Sequence, residues 1–78
     1  MANPEEYEYG RDKLDDISNS EIDHLINKWI HSERDRKILH YRLVDGLTYE
    51  KIADQMDMSV RAIKNIVYKT EAKIFKHI

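Results

Sequence analysis

The chain of 78 residues carries a formal net charge of −2, with 41% hydrophobic and 36% charged residues. This length supports one domain with a thin core, which leaves little room for a catalytic cleft beside its scaffold. Because the chain holds no cysteine and no apolar run long enough for a signal peptide or a membrane span, we expect a soluble cytoplasmic protein without disulfides or thiolate metal sites.

Residues 1–17 form an acidic segment without a lasting apolar period. The segment contains the only proline of the chain and one of its two glycines. Sequences of this composition bury too little apolar surface to hold a fixed fold. We therefore predict a flexible N-terminal arm, followed by a folded domain over residues 18–78. Part of the arm could still pack on that domain, and this stays open. The arm carries four apolar side chains that could make such contacts: Tyr7, Tyr9, Leu14 and Ile17.

Two amphipathic helices are predicted next. In the first, apolar residues recur at i, i+3, i+4, i+7 and i+8, and Ser18 and Glu21 have the spacing of a capping box. In the second, Ser32 is the N-cap, with Asp35 three residues later, and Gly46 ends the helix. The first helix carries Ile22, Leu25, Ile26, Trp29 and Ile30. The second carries Ile38, Leu39, Leu43 and Val44, with Tyr41 or Arg42 between them.

The stretch 47–69 has the apolar spacing of two short helices joined by a tight turn. Thr48 and Ser59 are the expected N-caps, because a hydroxyl accepts from the free amides of a first turn. Ala53 is small enough to let the two helices approach closely. Asp57 occupies the turn position where glycine often provides a positive φ, so we expect a small strain there. The pattern predicts a helix-turn-helix, with its apolar faces formed by Ile52, Ala53, Met56, Ile63, Ile66 and Val67.

The apolar pattern of the fourth helix continues beyond the helix-turn-helix. Ile74, Phe75 and Ile78 extend it, so the helix is expected to run for about eighteen residues. This tail either packs over the first helix and covers Trp29, or pairs with a second copy of the chain as a homodimer. We favour packing within the chain, because a small domain needs every apolar contact it can make.

The net charge is distributed unevenly along the chain. Residues 1–30 carry −5, residues 31–58 carry −1 and residues 59–78 carry +4. Lysines near a helix C-terminus complement the helix dipole, but Arg61 and Lys64 lie in the first half of the helix, where the dipole disfavours them. The basic charge of the fourth helix is therefore typical of a surface that attracts phosphates.

Residues 35–69 resemble region 4 of bacterial sigma factors and, more loosely, regulators of the LuxR type. In the family a glutamate often precedes the position of Ile52, whereas this chain has Lys51 there and Glu50 one residue earlier. The resemblance implies an all-α bundle of three to four helices with a long C-terminal recognition helix. It is carried by Arg36, Leu39, Leu43, Gly46, Thr48, Ile52, Ala53, Met56, Met58, Ser59, Ala62, Ile63 and Lys64.

The resemblance also implies double-stranded DNA as the partner, at an upstream promoter element, with RNA polymerase as a further contact. The chain has no counterpart of the other sigma regions, so we expect a stand-alone transcription regulator. It is similar in size to the small regulators of phages and mobile elements.

The outward residues of the recognition helix, residues 59–78, are the candidates for DNA contact in the major groove. Arg61 suits the acceptors of guanine, Asn65 suits adenine, and Val60 suits a thymine methyl group. Lysine and tyrosine side chains are better suited to phosphates, which fix position without reading sequence. The phosphate candidates are Lys64, Tyr68 and Lys69 on the recognition helix, with Thr48 and Tyr49 at the N-terminus of the preceding helix. Ser59 is a further outward candidate, and Arg42 and Lys51 are weaker ones.

Other chemistry is not supported by the sequence. The four histidines are scattered and lack the i, i+4 spacing of metal ligands, so no metal or cofactor is expected. Adjacent acidic residues point apart, and there is no glycine-rich phosphate loop or nucleophile motif, so we predict that the protein is not an enzyme. The alternative to a DNA-binding regulator is an adaptor that docks on RNA polymerase or another regulator through its acidic N-terminal region and apolar tail.

Overall fold

The computed structural model describes residues 17–77, and this range folds into four α-helices. Helix α1 spans Asn19–Trp29, α2 spans Glu33–Leu43, α3 spans Tyr49–Met56 and α4 spans Val60–Phe75. The prediction of an all-α helix-turn-helix bundle is confirmed. The predicted arm lies outside the described residues except for Ile17, which is half-buried and packs against the core. Ile78 also lies outside them.

Each helix begins at the hydroxyl residue that the sequence indicates as its N-cap. In all four cases the side-chain oxygen accepts a hydrogen bond from the backbone amide three residues later, which satisfies one of the free donors of the first turn. The acceptor and donor residues are Ser18 and Glu21 at 3.3 Å, Ser32 and Asp35 at 3.3 Å, Thr48 and Lys51 at 3.2 Å, and Ser59 and Ala62 at 3.1 Å.

The turn between α3 and α4 has the left-handed residue that the sequence predicts. Asp57 has φ 54° and ψ 48°. The amide of Met58 donates to the carbonyl of Ala53 at 3.0 Å, and the amide of Asp57 donates to the carbonyl of Asp54 at 3.4 Å. These two bonds form a Schellman motif, which closes the end of α3 and reverses the chain direction. A non-glycine residue therefore occupies a conformation in which its Cβ is strained.

We expect Asp57→Gly to raise the free energy of unfolding by about 0.5 kcal/mol, because the relief of left-handed strain exceeds the added entropy of the unfolded chain. Asp54→Gly is the matched control. It makes the same substitution inside α3, where the backbone is helical, and should lower the free energy of unfolding by about 0.5–1 kcal/mol. Urea denaturation followed by circular dichroism measures both, and a loss of stability in both variants would refute the proposed strain.

The end of α2 differs from the sequence prediction. Gly46 is in the left-handed region, with φ +70°, but the helix already ends at Leu43, with Val44 as its C-cap. The amide of Leu47 donates to the carbonyl of Tyr41 at 2.9 Å, so Gly46 belongs to a wider turn that leads the chain into α3. Glycine suits this point, because it adopts the positive φ of the turn without strain.

The core lies where α4 packs against the other three helices. Helix α2 also contacts α1 and α3, so the four helices enclose one apolar cluster. Arg36 fixes the connection between α1 and α2, because its Nη1 donates to the carbonyls of Ile30 at 2.9 Å and His31 at 3.0 Å. The buried apolar residues are Ile22, Ile26, Ile30, Ile38, Leu39, Ile52, Ala53, Ile63, Val67 and Ile74.

The C-terminal half of α4 packs on α1. Ile74 has no exposed surface, Phe75 packs partly buried against the core, and the ring of His77 stacks on Trp29 with the ring centroids 3.6 Å apart. This is the packing within the chain that the sequence favours, while the homodimer stays a prediction. The helix has 16 residues and ends at Phe75, slightly earlier than expected.

Candidate nucleic-acid interface

Helix α4 presents one polar face to solvent because its opposite face is buried in the core. Ile63, Val67 and Ile74 point into the core at helical spacing, and Thr70 and Glu71 are buried on the same side of the helix. Tyr68 is 37% exposed, unusually high for a large apolar residue of this fold. The predicted DNA-contacting residues that are exposed on this face are Arg61, Lys64, Asn65, Tyr68 and Lys69.

Arg61 and Asn65 lie one helical turn apart on the exposed face of α4. Among residues 17–77, neither Arg61 nor Lys69 forms an ion pair with an acidic side chain. Their donors therefore face solvent in this range of the chain. A guanidinium and a carboxamide in this arrangement can form bidentate hydrogen bonds with neighbouring base edges in a major groove.

The three other candidates at the helix starts have additional structural roles. Val60 is half-buried and packs against the core, so only part of its side chain is available to a partner. The hydroxyls of Ser59 and Thr48 are exposed but accept the capping hydrogen bonds of α4 and α3. These two serve first to start their helices, and any contact with DNA would share the same oxygen.

Tyr49 brings together residues from three helices, and we call Arg42, Tyr49, Lys64 and Tyr68 the Tyr49 cluster. The guanidinium carbon of Arg42 lies 4.2 Å from the centroid of the Tyr49 ring, and Nζ of Lys64 lies 5.6 Å from it. The ring of Tyr68 meets that of Tyr49 edge to face, with the centroids 6.3 Å apart and an angle of 82° between the planes. The cluster joins the end of α2, the start of α3 and the middle of α4.

The structure places Arg42, a weaker candidate from the sequence, in this cluster. Its Nη1 donates to the carbonyl of Leu47 at 3.0 Å, which holds the guanidinium at the α2–α3 connection and above the Tyr49 ring. Helical periodicity places Arg42 on α2 but gives no sign of its distance from Tyr49 or Lys64, because those residues lie on other helices. Lys51, the other weak candidate, is exposed on α3.

Two of the histidines have defined contacts in the described part of the chain: His77 stacks on Trp29, and His40 lies near two carboxylates. His40 lies 3.5 Å from a carboxylate oxygen of Asp23 and 3.5 Å from one of Asp45, through different ring nitrogens. Residues 17–77 contain no group of three or more ligating side chains that could hold a metal ion. In the same range no helix is long and apolar enough to span a membrane.

A model of the sigma-70 region 4 family matches residues 32–74, which is more than half of the chain. The chain belongs to the sigma-70 region 4 family. Region 4 is a DNA-binding, non-enzymatic helix-turn-helix domain family linked to transcription. The region 4 match begins at the N-cap of α2 and ends in the last turn of α4, so α1 lies outside it. Comparisons with curated proteins and with solved structures gave no match.

Proposed function

We propose that this region 4 domain binds double-stranded DNA sequence-specifically, with α4 in the major groove, and regulates transcription in the cytoplasm. The observation that carries the proposal is the exposed row of Arg61, Lys64, Asn65, Tyr68 and Lys69 on one helix, beside the Tyr49 cluster. The two side chains suited to base edges lie within it, flanked by those suited to phosphates. Although the protein has a net charge of −2, residues 59–78 carry a charge of +4. The positive charge that attracts DNA therefore lies on and beyond the second helix of the helix-turn-helix.

The individual roles follow from side-chain chemistry. Arg61 and Asn65 read bases, and Val60 contacts a thymine methyl group with the part of its side chain that is exposed. The remaining candidates contact phosphates and set the register of the helix on the duplex: Thr48, Tyr49, Ser59, Lys64, Tyr68 and Lys69.

RNA polymerase is the second proposed partner. Family membership supports it, because region 4 domains bind the polymerase core as well as DNA. We propose that the chain contacts polymerase while α4 occupies the promoter. A regulator of this kind would bring polymerase to a promoter or hold it there.

Selection from a pool of random duplexes, performed with and without RNA polymerase, tests this function. The expected result is enrichment of a short motif, strengthened when polymerase is present. Enrichment only with polymerase would mean that α4 needs the larger assembly to bind. If no duplex were enriched under either condition, the DNA-binding function would be rejected.

An adaptor function is the alternative, and one surface of the fold favours it. The apolar tail that it requires is largely covered, because Ile74 is buried and His77 stacks on Trp29. A cavity of about 500 Å³ lies between the start of α1 and His77, and Ile17 and Leu25 contribute to its lining. An adaptor that uses this cavity would keep its affinity for a protein partner after removal of the α4 cations, whereas a DNA-binding regulator would lose its affinity for DNA.

A further inference from the structure

Two cations share one aromatic ring in the Tyr49 cluster. Arg42 and Lys64 each lie within 6 Å of the Tyr49 centroid, so their charges are separated by no more than about 10 Å, the Debye length at 0.1 M salt. Each is attracted to the ring, but the two like charges repel each other. A phosphate beside the cluster would be attracted by both cations, so the arrangement suits an anion.

We propose that Tyr49 is a positioning residue for the DNA backbone: its ring holds Arg42 of α2 and Lys64 of α4 together, so that both contact phosphates as one unit. This inference rests on the DNA-binding function proposed above and extends it to Arg42. It assigns to the Tyr49 ring a role different from a direct phosphate contact through its amide or hydroxyl.

The surroundings of the ring support a positioning role. Tyr49 directly follows the N-cap of α3, so its backbone is fixed by the capped first turn. The edge-to-face contact with Tyr68 fixes the ring from the α4 side, and the bond to the Leu47 carbonyl fixes Arg42 from the α2 side. Long cationic side chains lose considerable rotamer entropy on binding. Holding them before DNA arrives reduces that loss, and this raises affinity.

A positioning residue for phosphate contacts changes affinity and salt dependence but not sequence preference. Tyr49→Leu removes the ring while keeping an apolar side chain at the half-buried site. We expect it to weaken binding about fivefold, equally for the selected duplex and for an unrelated duplex. The slope of log K against log salt should fall by about one, because one phosphate contact is lost. Tyr49→Phe keeps the ring and the backbone amide, so it should recover the affinity and the slope.

Lys28→Ala is the matched control, because it removes a cation from a different aromatic ring. Nζ of Lys28 lies 5.2 Å from the Trp29 centroid on α1, outside the proposed interface. The slope of log K against log salt for Lys28→Ala should equal that of the unmodified protein. An unchanged slope in Tyr49→Leu would overturn the proposal. So would a Tyr49→Phe variant as weak as Tyr49→Leu, because the hydroxyl and not the ring would then carry the effect.

A second measurement is independent of how well the Tyr49 variants fold. Arg42→Ala, Lys64→Ala and the double variant form a thermodynamic cycle for DNA affinity. If the two cations act as one unit, the double variant loses less affinity than the product of the two single losses. If the affinity loss of the double variant equals the product of the two single losses, the inference is overturned. Absence of any duplex binding by the unmodified protein would instead reject the proposed function, so the two failures are distinguishable.

Discussion

Replacement of both Arg61 and Lys64 by alanine is expected to weaken binding to the selected duplex roughly 100-fold at physiological salt. Arg61 has the exposed position and the bidentate donors to read a guanine, and such a contact contributes about 1–3 kcal/mol of discrimination. Lys64 adds a phosphate contact, whose loss reduces the salt slope by about 0.9. The combined loss exceeds what any change at a single exposed residue elsewhere on the domain should produce.

The single variants separate the two roles. Arg61→Ala should lower affinity for the selected duplex and relax the preference at one base pair, with a modest change in salt dependence. Lys64→Ala should weaken binding to all duplexes to a similar extent and leave the base preference unchanged. Fluorescence anisotropy titrations over a range of salt concentrations measure affinity and slope together.

The charge-matched control is Lys28→Ala combined with Arg34→Ala. It also removes one lysine and one arginine, and both are exposed outside the helix-turn-helix, on α1 and on the first turn of α2. If attraction by net charge explained the binding, this control would lose as much affinity as the α4 variant. Equal losses in the two double variants would therefore contradict a DNA contact by α4.

Ile74→Ala is expected to lower the free energy of unfolding by about 2–5 kcal/mol. Ile74 has no exposed surface and lies where the last turn of α4 packs on α1, so the truncation removes buried apolar surface and leaves a cavity. A native domain has a free energy of unfolding of only about 5–15 kcal/mol, so this one change removes a large part of its stability. Urea denaturation followed by circular dichroism gives the midpoint and the slope of the transition.

The fluorescence of Trp29 gives a local signal for the effect of Ile74→Ala on the packing of the tail. Trp29 is the only tryptophan of the chain and stacks on His77, so its fluorescence reports whether the tail contacts α1. Lys73→Ala is the control, because its side chain is exposed in the same turn of α4 and its removal should change stability by less than about 0.5 kcal/mol. A small effect of Ile74→Ala, together with a dimer in sedimentation experiments, would instead support pairing of two tails.

The features that were predictable from sequence are local ones. The four N-caps are correct because a serine or threonine hydroxyl competes for amides only three residues away. Asp57 was identifiable as the turn residue because the apolar period stops before it and restarts after it. The candidate DNA-contacting residues on α4 follow from the same period, since the side chains opposite the buried face must be outward.

Other features depend on distances between residues far apart in sequence. The expected boundaries of α2 and α4 were too long. Helix α2 ends at Leu43 because the chain turns there and the Leu47 amide bonds to the Tyr41 carbonyl, and α4 ends at Phe75. Thr70 and Glu71 are buried polar residues on a helix face that apolar periodicity alone did not assign to the core. The hydroxyl of Thr70 donates to the carbonyl of Ile66 at 2.7 Å, which satisfies its polar group inside the bundle.

The sequence by itself determined the helices, their caps, the helix-turn-helix and the basic face of α4, because each depends on spacing within about one or two turns. Only the tertiary structure decided that the tail covers Trp29 and that Arg42, Tyr49 and Lys64 meet. The physical reason is that periodicity defines which face of a helix is buried but not which partner covers it. That choice belongs to the packing of all four helices around one small core.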